Sequence, residues 1–66
     1  MTTTTPLAGQ DLVRAAVKFP YSAPLGGAVH GCLDMITHRT GWTRGEIRWE
    51  GLLPIEKNRL RDLLNR

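Results

Sequence analysis

The sequence predicts an all-α fold, a single small domain of three to four short helices. In several stretches apolar residues recur at three- and four-residue spacing, which is typical of amphipathic helices. Prolines and glycines fall between these stretches, where helices start and stop, and no stretch has a convincing strand pattern. A chain of 66 residues buries a thin core. We therefore expect a homodimer, the commonest oligomer, to supplement it.

The N-terminal residues divide into a tail and a first helix. Residues 1–5 are polar and unpatterned, which predicts a disordered tail, and residues 6–66 then form the helical domain. Proline is favoured at the first helical position, so Thr5-Pro6 marks a helix start. The periodic apolar residues that follow predict a helix over residues 8–18; they are Leu7, Leu12, Ala15, Ala16 and Phe19.

Two prolines separate the first helix from the second. Pro20 and Pro24 move their preceding residues out of the helical region, which predicts a loop over residues 19–27. Three side chains are expected to pack it onto the domain: Phe19, Tyr21 and Leu25. The alternative is a flexible arm.

The second helix is predicted over residues 28–39 and ends at Gly41, which suits a left-handed C-cap. Its apolar face consists of Val29, Cys32, Leu33 and Ile36, and a polar face carries His30, Asp34 and His38. Thr43 and Glu46 then match a capping box, which predicts a third helix over residues 43–50.

Gly51 closes the third helix, and Pro54 begins the last one. The core face predicted for this last helix consists of Ile55, Leu60, Leu63 and Leu64. The spacing of opposite charges also predicts two surface ion pairs, Glu56 with Arg59 and Asp62 with Arg66.

Residues 33–53 resemble the helix-turn-helix of small phage repressors and Cro-type regulators. Gly41, Trp42 and Ile47 match the turn glycine, the hydrophobic residue after it and the aliphatic residue six positions on. Thr40, just before the turn, departs from the apolar residue usual there, and Trp49 is offset by one position from the late apolar residue. The resemblance implies a DNA-binding regulator of phage or prophage type whose third helix enters the major groove.

If this chain binds DNA in that way, two arginines one turn apart are candidates for base contacts. Arg44 and Arg48 would share a face of the third helix, and each guanidinium can bond bidentately to guanine. Thr43 and Arg39 would then lie near phosphates.

A second hypothesis belongs to another class, a phage-type inhibitor or adaptor that docks on a host protein without binding DNA. Trp42 and Trp49 lie among arginines, and these two residue types are enriched among interface hot spots. Trp42, at the turn, is the stronger candidate for an exposed anchor. The net charge of +3 favours acidic partners but fits both hypotheses.

The sequence offers no credible active site, so we expect no enzyme, no cofactor and no small-molecule substrate. His30, Asp34 and His38 recur every four residues, but nothing supplies the further ligands of a metal site, and none is expected. Cys32 is the single cysteine, which fits a buried apolar residue in a reducing compartment such as the cytoplasm. The chain shows no secretory signal and no apolar run long enough to span a membrane.

Overall fold

The computed structural model describes residues 7–66, and all regular structure in that part of the chain is helical. The α-helices are α1, Gly9–Val17; α2, Gly26–Thr40; and α3, Pro54–Leu64. Between α2 and α3 the chain makes two 3₁₀ turns, Arg44–Glu46 and Trp49–Gly51. The predicted all-α fold is therefore confirmed. No helix within residues 7–66 has the length and apolarity needed to cross a membrane.

The predictions for the N-terminal tail and for the helix start at Thr5-Pro6 lie outside the described residues. The first helix, predicted over residues 8–18, and the second, predicted over residues 28–39, agree with α1 and α2 to within two residues at each end.

The core lies where the three helices meet the connection between α2 and α3. It contains Leu12, Val13 and Ala16 of α1, Val29, Leu33 and Ile36 of α2, Leu60 of α3, and Ile47 and Leu52 of the connection. Full burial of one such larger side chain stabilises the fold by about 1.5 to 3 kcal/mol. The set is small, so each side chain carries a large share of the stability.

The loop between α1 and α2 packs onto the domain, as predicted, through Phe19 and Leu25. The third predicted contact, Tyr21, is 68% exposed, yet its ring lies parallel to that of His30 with centroids 3.7 Å apart. His30 itself corrects a prediction. It lies in the interior with 4% exposure and not on a polar face, because its Nε2–H donates to the Phe19 carbonyl oxygen at 2.6 Å.

The prediction of a continuous third helix at residues 43–50 is wrong. Ile47 and Arg48 are extended, with ψ of 127° and 137°, and they separate the two 3₁₀ turns. This conformation buries Ile47, which is 1% exposed. The side chain of Gln10 supplies hydrogen bonds that a helix would otherwise provide: its Nε2 donates to the Ile47 carbonyl, and its Oε1 accepts from the Trp49 amide, both at 2.9 Å.

The structure thus contains the first helix and the glycine turn of the predicted helix-turn-helix, followed by two single turns. Gly41 ends α2 in the left-handed conformation with φ of 76°, as predicted, and its amide donates to the Thr37 carbonyl at 2.8 Å. The predicted capping contact also forms, since the Thr43 amide donates to the Glu46 carboxylate at 2.8 Å. The local signals of the turn were correct, but the helix after it does not continue.

Pro54 begins α3 at its first helical position, as predicted, and Asp62 pairs with Arg66 at 3.1 Å. Two predictions for this helix are wrong. Ile55 is 58% exposed, because it lies on the side of α3 that borders an open groove beside α2. Glu56 pairs with Arg39 across the fold and not with its helix neighbour Arg59.

Candidate nucleic-acid interface

The six residues predicted as contacts, Arg39, Trp42, Thr43, Arg44, Arg48 and Trp49, do not lie on one helix face. Arg39 joins the end of α2 to the segments that follow it. Its guanidinium donates to both oxygens of Glu56, at 2.9 and 2.6 Å, and to the Gly51 carbonyl at 3.1 Å. These bonds use the Nε–Nη2 edge of the guanidinium, which leaves only its Nη1 end for a phosphate.

Arg44 is also held within the chain. Its Nη2 forms an ion pair with Asp34 and a longer hydrogen bond of 3.4 Å to the Tyr21 hydroxyl. Its Nη1 is buried and has no hydrogen-bond partner among the described residues. Arg44 therefore links the 3₁₀ turn to α2 and to the loop before it, with its charge neutralised by Asp34.

Trp42 and Thr43 have local structural roles. The Trp42 ring lies against Gly51, where an added Cβ would be 2.2 Å from the ring atom Cη2, so the side chain is half-buried over the second 3₁₀ turn. Thr43 begins the first 3₁₀ turn through its bond to Glu46. The expected exposed tryptophan anchor is thus a side chain that covers a glycine of its own chain.

Arg48 differs from Arg39 and Arg44, because it is exposed and makes no ion pair within residues 7–66. It lines a cleft of about 330 Å³ between α1 and the first 3₁₀ turn, together with Arg14 and Lys18 of α1. Arg14 pairs with Asp11 at 3.1 Å, whereas Lys18 has no acidic partner in the described part of the chain. One wall of the cleft therefore carries Lys18 and the other Arg48, both exposed.

Trp49 follows Arg48 directly and carries two further cations on its ring. The Lys57 Nζ lies 5.4 Å from the ring centroid and the Arg61 Cζ 5.6 Å, which are cation–π distances. Gln10 connects this cluster to the cleft, because it lines the cleft and bonds the Trp49 amide. We call the set Lys18, Arg48, Lys57 and Arg61, with Trp49 between its members, the basic surface. Lys57 is half-buried, and the other three cations are exposed.

The ion pairs show where the excess positive charge lies. Nine cationic side chains are present, all in the described part of the chain, and four are in ion pairs: Arg14, Arg39, Arg44 and Arg66. The other five cationic side chains are in no ion pair within residues 7–66, and all of them except Arg59 belong to the basic surface. Of the predicted contacts, only Arg48 and Trp49 are part of it.

Sequence reasoning missed Lys18, Lys57 and Arg61 as members of this surface. Lys57 and Arg61 are four residues apart, so their shared helix face was available as a signal. No signal in the sequence identified Lys18, since its position opposite Arg48 depends on how α1 packs. Among residues 7–66 no three His, Cys, Asp or Glu side chains are grouped so that they could hold a metal ion.

The ion pair of Arg39 with Glu56 predicts acid sensitivity. Hydrogen bonds from Arg39 hold the pKa of the Glu56 carboxyl below its usual value, against the opposing effect of burial. The Thr43 amide likewise lowers the pKa of Glu46. A carboxyl whose pKa is lower in the folded state stabilises the fold above its unfolded pKa, and this contribution is lost as the pH falls. We therefore expect the thermal unfolding midpoint to decrease as the pH is lowered from about 5 to about 3.

Glu56→Gln should flatten part of this pH dependence and lower the thermal midpoint at neutral pH, because charge-assisted bonds to Arg39 are lost. Glu50→Gln is the control, since Glu50 is exposed and makes no hydrogen bond or ion pair with another described residue. Thermal unfolding followed by circular dichroism over this pH range measures both variants. A Glu56→Gln profile parallel to that of the unchanged protein would contradict the assignment.

Comparisons of the chain with protein-family models, with curated proteins and with solved structures find no match in any of the three.

Proposed function

We propose that the protein is a small non-enzymatic nucleic-acid-binding protein that contacts the DNA phosphate backbone through the basic surface. The observation that carries this proposal is the distribution of charge. Four of the five cations without an acidic partner in the described chain surround Trp49 and the adjacent cleft. Because ion pairs neutralise four of the other five cations and leave only Arg59 elsewhere, this is the surface on which a polyanion gains most from counterion release.

The mode of contact differs from the one that the repressor resemblance implies. The segment expected to enter the major groove consists of two separate 3₁₀ turns, and Arg44 in the first of them is paired with Asp34. Phosphate contacts position a protein on DNA without reading bases. We therefore keep the expectation that the protein binds DNA, but propose that it binds DNA of any sequence. Of the arginines predicted as DNA contacts, Arg48 is the one left to contact a phosphate.

Salt dependence tests this proposal. Four phosphate contacts predict that affinity for duplex DNA falls by about 100-fold between about 50 and 200 mM salt. The probe is a fluorescently labelled duplex of random sequence, and anisotropy measures the affinity. In the double variant Lys18→Gln/Arg48→Gln we expect weaker binding at low salt and a logarithmic salt slope smaller by about 2.

The matched control is Arg66→Gln, which removes one positive charge outside the basic surface, where Arg66 pairs with Asp62. It should leave the salt slope within error of the unchanged protein. Circular dichroism confirms that each variant is folded. The proposal is overturned if the folded protein shows no binding at about 50 mM salt, or if the double variant binds with an unchanged slope.

A further inference from the structure

Helix α2 is apolar on two sides. Its inner side contributes Val29, Leu33 and Ile36 to the core. Its outer side carries a second strip at helical spacing, formed by Ala28, Gly31, Cys32 and Met35. A helix that is apolar on both sides is typical of one that is covered on both sides. Within residues 7–66, however, only Cys32 of this strip is partly buried, against the core, and Ala28, Gly31 and Met35 are exposed.

The strip continues into a groove of about 400 Å³ between α2 and α3, bordered by Leu53 and Ile55. Met35 is 64% exposed, Ile55 58% and Leu53 45%, so the groove has three of the four large apolar side chains that the described residues expose. The fourth, Tyr21, stacks on His30 and belongs to the loop. The exposed apolar surface is therefore concentrated on one face.

Gly31 adds an observation about shape. It lies within α2, where glycine destabilises a helix relative to alanine. A Cβ added there would meet no atom within 4 Å, so packing within the described chain does not require glycine. Its neighbour on the strip, Met35, is four residues later and lies one turn along the same face. The strip therefore has a recess at Gly31 next to the protruding side chain of Met35.

We propose that a second copy of this chain covers the strip, with α2 packed antiparallel on α2 of the partner so that Met35 of each copy lies over Gly31 of the other. In a two-fold interface every contact is made twice. Both Met35–Gly31 contacts can form together because the two residues lie one turn apart on the same face of α2. The same operation places the two copies of α3 opposite each other. Arg59 and Asp62 both border the strip and can then pair with their opposite charges across the axis. Arg59 makes no ion pair within residues 7–66, and Asp62 would exchange its exposed partner Arg66 for Arg59 of the other copy.

This interface is separate from the basic surface, because it lies between α2 and α3 on the side of Arg59 and not of Trp49. It also differs from the exposed anchor that the sequence suggested at Trp42. The Trp42 ring lies against Gly51 of its own chain, whereas Ala28, Gly31 and Met35 of the α2 strip are exposed. The inference stands whether or not the protein binds DNA.

Sedimentation velocity over about 1 to 100 μM protein tests the proposal, and we expect a reversible monomer–dimer equilibrium. Gly31→Leu fills the recess and should weaken dimerisation at least about 10-fold. Gly27→Leu is the matched control, since Gly27 is also an exposed α2 glycine with nothing within 4 Å of an added Cβ, but it lies outside the strip. Gly27→Leu should leave the equilibrium unchanged.

A second readout places the interface directly. Cys32 lies in the strip, so its alkylation by iodoacetamide should slow as the protein concentration rises, and in Gly31→Leu this concentration dependence should disappear. A protein that stays monomeric at about 100 μM overturns the proposal, and another occupant must then be sought. A dimer that persists equally in Gly31→Leu and in Met35→Glu overturns it as well, because the contact then lies elsewhere.

Discussion

Replacing Gly26 by alanine is expected to lower the free energy of unfolding by about 2 to 4 kcal/mol. A Cβ at this position would lie 2.4 Å from the carbonyl oxygens of both Pro20 and Tyr21. Both atoms belong to the backbone, so the loop between α1 and α2 would have to move. That movement would disturb the bond from His30 to the Phe19 carbonyl and the stacking of Tyr21 on His30.

For a domain of this size the expected loss approaches the whole stability, which is roughly 3 to 5 kcal/mol. Gly26→Ala should therefore be largely unfolded near 37 °C, and urea unfolding followed by far-ultraviolet circular dichroism measures the change. The adjacent Gly27→Ala is the control, because no atom lies within 4 Å of its added Cβ. It should be neutral or more stable by about 0.5 to 1 kcal/mol. Equal effects at the two glycines would contradict the packing described for the loop.

Local signals predicted much of this fold, because the interactions that decide them lie within a few residues. The ends of α1 and α2 were predicted to within two residues, and the left-handed cap at Gly41 and proline at the start of α3 were correct. Each depends on helical periodicity or on a backbone preference of a single residue type. His30 was misplaced because its partner is the Phe19 carbonyl, eleven residues away and outside any helix pattern.

The candidate site was less predictable because, as for His30, the positions of its side chains depend on partners far away in the sequence. A helical arrangement of Arg44 and Arg48 was inferred from a capping box that does form, but the cap holds one 3₁₀ turn. Which arginine stays without an ion pair depends on distant partners: Asp34 pairs with Arg44 and Glu56 with Arg39. Charge in a sequence shows how many cations exist, whereas tertiary packing decides which of them face solvent.

Gln10 offers the sharpest test of the segment that replaced the predicted helix. Its amide bonds the Ile47 carbonyl and the Trp49 amide, 37 and 39 residues away, and both contacts are partly buried. Gln10→Ala leaves one donor and one acceptor without partners, and each such loss costs about 1 to 3 kcal/mol. Because both groups are only partly buried, we expect the lower part of the combined range, a fall in the free energy of unfolding of about 2 to 4 kcal/mol, measured by urea denaturation.

The control for Gln10→Ala is Asn58→Ala, which removes an amide whose bond to Arg61 is exposed and local to α3. It should change stability by less than about 0.5 kcal/mol. The pair distinguishes two local structures. In a continuous helix over residues 43–50 the Trp49 amide would bond within its own helix, and Gln10→Ala would then be as mild as the control. A large loss in Gln10→Ala alone means that a side chain of α1 holds Ile47 and Arg48 extended, and with them the position of Arg48 on the basic surface.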